Sequence, residues 1–99
     1  LMQRARKLEP YLEAAIHSLR GEPHVIDVRN LGLAAAVELE PRPGGASLRA
    51  MEVFHRCFDR GAMVRYTGDI IAIGPATIAR HTEIDGIVEL IRSALREIA

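Results

Sequence analysis

The 99-residue sequence is short of several things, and each shortage closes off a class of protein. It has one cysteine, Cys57, so neither a disulfide framework nor a cysteine-based metal cage is available. It has no tryptophan and only two tyrosines and two phenylalanines, so its core must come from Ile, Leu, Val, Met and Ala. It has no surplus of either charge: 13 Lys+Arg balance 13 Asp+Glu. A dedicated nucleic-acid binder would be expected to carry a basic excess. No run of 18 apolar residues is long enough to cross a membrane, and no basic stretch with an apolar core marks a signal peptide. Neither nucleic acid nor membrane is an expected partner, and a cytoplasmic setting is expected. Lysine is nearly absent: Lys7 is the only one, the other basic residues all being arginine.

Hydrophobic residues make up 48%, which excludes disorder. A domain this small buries only about 60–65% of its unfolded surface, so alone it is marginal. Leu1, Ala5, Leu8, Leu12, Ala15, Ile16 and Leu19 recur at steps of three and four, which is one face of a helix. The pattern is in full stride at the first residue with no capping residue ahead of it, so residues 1–20 read as the tail of a helix that began upstream. Pro10 should kink or restart it.

Residues 24–29 (HVIDVR) and 33–40 (LAAAVELE) read as strands, the second with Leu33, Ala35, Val37 and Leu39 on one face. Asn30-Leu31-Gly32 is the expected turn between them. The small Ala34 and Ala36 suggest a helix lying close to the sheet. Pro41 to Gly45 is a loop. Ser47 is placed to cap a second helix over 47–60, with Leu48, Met51, Phe54 and Phe58 as its buried stripe and Gly61 ending it. Residues 62–66 and 70–73 are strands joined at Gly68-Asp69. Thr82 fits the start of a capping box for a last helix over 82–98, with an apolar stripe at Ile84, Ile87, Val88, Ile91, Leu95 and Ile98. The order helix, hairpin, helix, hairpin, helix predicts an α+β fold, a mostly antiparallel sheet covered by helices.

Motifs for chemistry are sparse. There is no GxGxxG, P-loop or HExxH. His17, His24, His55 and His81 are scattered, no two at metal-binding helical spacing. Cys57 reads as a small hydrophobe lacking a base. Asp27, Glu38, Glu40 and Asp69 could supply an acid–base pair, or form a solvated strand face with Asp69 as a turn residue. Lys7, flanked by Arg4 and Arg6, reads as a solvated helix face rather than a Schiff-base lysine. Arg65 stands in an apolar strand just ahead of a tight turn. A guanidinium there can clamp a carboxylate through two parallel hydrogen bonds; the alternative is an exposed arginine paired with Asp69 or with nothing.

The stretch His24-Val25-Ile26-Asp27-Val28-Arg29-Asn30-Leu31-Gly32-Leu33 through Glu38-Leu39-Glu40-Pro41, together with Val64-Arg65-Tyr66-Thr67-Gly68-Asp69, resembles the C-terminal small domain of class III, fold-type I aminotransferases dependent on pyridoxal phosphate. The V-R-x-x-G-L hairpin occurs widely in class III, and R-Y-T-G-D is more specific to the omega-amino acid–pyruvate (beta-alanine–pyruvate) branch. The resemblance covers essentially the whole chain. It implies that residues 1–99 are one small domain, with 1–20 the tail of a helix from a missing large domain that holds pyridoxal 5′-phosphate on a lysine. It implies a homodimer with active sites at the subunit interface. The reaction would move an amino group from an omega-amino acid to pyruvate by a ping-pong route. Arg65 matches the arginine that binds the substrate carboxylate and swings aside for substrates lacking one. Lys7 does not match the cofactor lysine, so this chain is expected to carry no catalytic, cofactor-binding or metal residue and to be inactive alone. Gly74-Pro75-Ala76 departs from the family's Ser-Pro-Pro or Ala-Pro-Pro. Two other readings stay open: a freestanding ligand-binding or regulatory module, and another class III member, an ornithine-type aminotransferase or a dialkylglycine-type decarboxylase. The upstream coding sequence separates the first of these from a transaminase fragment.

Overall fold

The computed structural model describes residues 2–62, 64–74 and 81–98, with side chains from residue 8 onward. In chain order the elements are α1 (Met2–His17), β1 (Val25–Leu31), β2 (Ala34–Leu39), α2 (Leu48–Asp59), β3 (Arg65–Thr67), β4 (Ile70–Ile73) and α3 (His81–Glu97). The four strands form one antiparallel sheet in the order β1-β2-β4-β3. The fold is α+β.

Alternation sorts the sheet into two faces. Val28, Val37, Ile71 and Tyr66 are in register across the four strands, and the first three are buried. With Ala35, Leu39 and Ile73 they make the covered face, packed in a single core with Leu8, Leu12, Ile16 and Leu19, with Ala50, Val53 and Cys57, and with the stripe of α3. All six expected positions of that stripe, Ile84 through Ile98, are buried. The other face is open. Ala34 and Ala36 lie on it, exposed or half-buried, so their small size seats no helix among the described residues.

Several boundaries differ from the expectation. α1 runs through Pro10 as one element, then ends at His17 rather than residue 20. Pro10 is exposed, and the helix continues past it although its ring forgoes one helical hydrogen bond and crowds the carbonyl four residues back. The first turn falls on Gly32-Leu33, because Asn30 and Leu31 are drawn into the ladder opposite Ala35 and Ala34. Residues 62 and 64 lie outside β3 because the Ala62 N–H is committed to the Cys57 carbonyl at 2.8 Å, closing the end of α2. Gly61 at φ 88° makes that closure possible, a conformation that costs a residue with a Cβ. Thr82 is inside α3 rather than ahead of it. The expected Pro75-Ala76 departure lies outside the described residues.

The largest correction concerns α2. Its buried face is Arg49, Ala50, Val53 and Cys57, not the row of large apolar residues. Leu48 and Phe58 are exposed, while Met51 and Phe54 are half-buried. Small side chains let the helix approach the core, and the aromatic row instead runs along its flank: Phe58 to Phe54 at 6.1 Å, Phe54 to Tyr66 of β3 at 5.2 Å. Arg49 is tolerated inside because its guanidinium donates to the Glu40 carbonyl.

Candidate functional site

Arg65 opens β3, an edge strand, and its register partner is Ala72. Ala72 in turn faces Ala36, and Ala36 faces Arg29. Two arginines therefore stand at opposite margins of the open face with two alanines between them, about 14 Å apart at ordinary strand spacing. Tyr66, the next residue, points the other way, against Phe54.

The two arginines differ in what they touch. Arg29 donates to Asp27 Oδ2 and Glu38 Oε1, each at 2.9 Å. These two carboxylates hold the Arg29 pKa above the usual arginine range, the Glu38 hydrogen bond contributing most. Arg65 is exposed, and its guanidinium makes no hydrogen bond or ion pair among the described residues. Asp69, the acid closest in sequence on the same hairpin, is engaged elsewhere: its Oδ2 accepts the Ser47 backbone N–H at 2.9 Å. The pairing of Arg65 with Asp69 that the sequence left open is not formed.

The other candidates are accounted for by structure. Asp27 and Glu38 serve Arg29 and do not form an acid–base pair. Cys57 is fully buried, and burial pushes its thiol up to about 11, which leaves almost no thiolate near neutral pH. His17 accepts from Arg20 Nε at Nδ1, so its proton sits on Nε2 and goes to Asn30 Oδ1 at 2.9 Å. His24 reaches the Ile98 carbonyl at 3.3 Å, and His55 lies edge-on to Phe54. His81 stacks on Tyr11 at 4.1 Å, and Tyr11 donates to Asp85, which raises the phenol's pKa. Among the described residues, no three His, Cys, Asp or Glu side chains are grouped to hold a metal ion. A cavity of about 560 Å3 beside α2 is an open groove lined by Leu48, Met51, His55 and the Arg–Glu pairs of that flank.

Sequence reasoning missed three contacts that shape this region. Asp69 to Ser47 and Arg49 to Glu40 both join the second helix to the sheet, and Glu22 clamps the end of α3 by accepting from Arg92 and from Arg96 Nε and Nη2, the last two at 2.8 and 3.0 Å. The only advance signal was the R-Y-T-G-D string itself, which contains Asp69.

A four-stranded sheet of this order, with the described helices packed on one face, is an architecture shared with solved omega transaminases. The chain superposes on a thermostable omega transaminase variant from Pseudomonas jessenii with a TM-score of 0.85, at 26% identity, covering 95% of this chain and 22% of that one. It is 54% identical over 98 residues to an omega-aminotransferase of Caulobacter vibrioides, and 37% identical over 99 residues to a beta-alanine–pyruvate aminotransferase of Pseudomonas aeruginosa. These matches cover 99% and 100% of this chain but 22% of each relative. No protein-family model matches. Over essentially its whole length the chain is similar to a segment of these omega-aminotransferases, and it spans about a fifth of their length.

Proposed function

We propose that this chain is the C-terminal small domain of an omega-amino acid–pyruvate transaminase, and that Arg65 receives the carboxylate of the amino donor and of the keto acid acceptor. The observation that carries this is the contrast on the open face: Arg29 is neutralised by two carboxylates, whereas Arg65 is exposed and uncommitted among the described residues. A planar guanidinium suits a carboxylate, and its long stem lets it retract when a neutral amine arrives. In this reading residues 1–20 continue a helix from the large domain, and the whole enzyme is a cytoplasmic homodimer.

Pyridoxal phosphate in such an enzyme supplies the electron sink for amino transfer. It needs a lysine, and the described side chains include none, Lys7 being the sequence's only one. The described residues do not fit the cofactor, which in this reading is held by the rest of the enzyme. The chain's own contribution is to bind and orient a carboxylate.

Arg65→Ala in the full-length enzyme tests this. Losing a charge-assisted contact should lower kcat/KM for beta-alanine roughly ten- to a hundredfold, from about 1.5–3 kcal/mol. A neutral aryl-alkyl amine should be spared. The two donors are compared in single-turnover half-reactions, since the carboxylate of pyruvate affects every complete cycle. Equal losses for both donors return Arg65 to a purely structural role.

A further inference from the structure

We propose that Asp69 is a positioning residue for Arg65: it pins the β3–β4 turn to the start of α2 and so fixes where the Arg65 guanidinium emerges. This rests on the reading of Arg65 given above. The hairpin is short, with three residues in β3 and four in β4, and β3 has a neighbour on one side only. Its ladder alone is a weak hold. Two further bonds fix the turn. The Leu39 N–H donates to the Asp69 carbonyl at 2.8 Å, and Asp69 Oδ2 accepts the Ser47 N–H at 2.9 Å.

The second bond also settles the start of α2. Ser47 takes φ 71°, a left-handed conformation unfavourable to a residue with a Cβ, and its hydroxyl caps nothing in the helix. The N–H that this conformation turns aside is met by a carboxylate 22 residues further along the chain. The other oxygen, Oδ1, is buried without a partner among the described residues, a cost set against the hydrogen bond that Oδ2 accepts from Ser47. Asp69 thus couples loop 41–47, the α2 terminus and the strand that begins at Arg65. Because the coupling acts on the position of Arg65, its loss should appear in recognition of carboxylates and not in the chemistry of amino transfer.

The test uses the full-length enzyme with Asp69→Ala, Asp69→Asn, Arg65→Ala and the Asp69→Ala/Arg65→Ala double variant. Asp69→Ala should raise KM for beta-alanine roughly three- to tenfold with kcat nearly unchanged and a neutral amine spared. Asp69→Asn keeps an oxygen acceptor for the Ser47 N–H and should recover most of the loss. In the Arg65→Ala background Asp69→Ala should add nothing, because a residue acting through another has no effect once that other is gone. Hydrogen exchange of the peptide containing Ser47 supplies a readout independent of turnover. It should be protected in the unsubstituted enzyme and in Asp69→Asn, and exchange faster in Asp69→Ala. A donor-selective loss in Arg65→Ala with none in Asp69→Ala, an additive double variant, or an unprotected Ser47 amide in the unsubstituted enzyme overturns the positioning role alone. Equal losses for both donors in Arg65→Ala overturn the carboxylate reading on which it rests.

Discussion

The two hairpins are built from the same parts and used differently. β1–β2 pairs a strand of seven residues with one of six, and its open-face arginine bridges Asp27 and Glu38 across the ladder through Nη1. β3–β4 is about half that length and keeps its arginine unpaired among the described residues. A cation that spends its donors on neighbours stabilises a sheet; one that withholds them is available to a ligand. The short hairpin, with less ladder of its own, then has to be held from outside. That hold comes from the core below and from the Asp69 bonds at the tip.

The first way to break the comparison is to remove the core beneath the short hairpin. Ile71 is fully buried, in register with Val37 on one side and Tyr66 on the other. Ile71→Ala leaves a cavity at the join between the hairpins and should cost about 2–5 kcal/mol. Urea unfolding followed by circular dichroism measures it. A loss below about 1 kcal/mol would mean that the site collapses readily and the short hairpin is not core-anchored. The donor-selective loss at Arg65 comes next in size, and the Asp69 effect after it.

The next contrast is between the open face and the helix layer under acid. Glu22 holds both Arg92 and Arg96, with its side chain only 10% exposed. The hydrogen bond from Arg96 is the main cause holding its carboxyl below the usual glutamate range, with Arg92 assisting and burial opposing. Glu52 beside Arg42 and Glu97 beside Arg60 are shifted the same way. A carboxyl whose pKa is lowered in the folded chain adds stability that is present above its unfolded pKa and lost as pH falls through the folded one. Stability should therefore be flat from neutral pH down to the ordinary glutamate range and decline below it. Glu22→Gln should be less stable at neutral pH and show a shallower acid decline. An unchanged acid profile would move the acid sensitivity away from the helix layer.

What the sequence disclosed follows the range of the interactions concerned. The α3 stripe was readable because six apolar residues repeat on one face with nothing competing, and the β2 alternation was readable for the same reason. α2 was misread because it carries two apolar rows at helical spacing. Size favoured Leu48, Met51, Phe54 and Phe58, but close approach to the core requires Ala50, Val53 and Cys57. The Ser47 cap failed because its partner stands 22 residues away, and no local pattern reports that bond. Arg65 was visible as a candidate from its place in an apolar strand ahead of a tight turn, and the motif it belongs to suggested its role. Its lack of a partner depends on where Asp69 and Glu38 turn, which is set by tertiary packing.

The smallest effect sharpens the comparison most. Arg29→Ala removes an exposed arginine bonded to two exposed or half-buried acids, a class of contact worth about 0–1 kcal/mol. The loss should come less from the missing attraction than from what remains, since Asp27 and Glu38 are directly opposed in the ladder and like charges there repel. Glu38→Gln in the Arg29→Ala background should then recover stability, whereas the same change in the unsubstituted protein should lower it slightly. In the full-length enzyme Arg29→Ala should leave the preference between beta-alanine and a neutral amine untouched. A selective loss for the carboxylate donor like that expected at Arg65 would show that both margins of the open face read the substrate, and the division between a structural hairpin and a recognising one would fall.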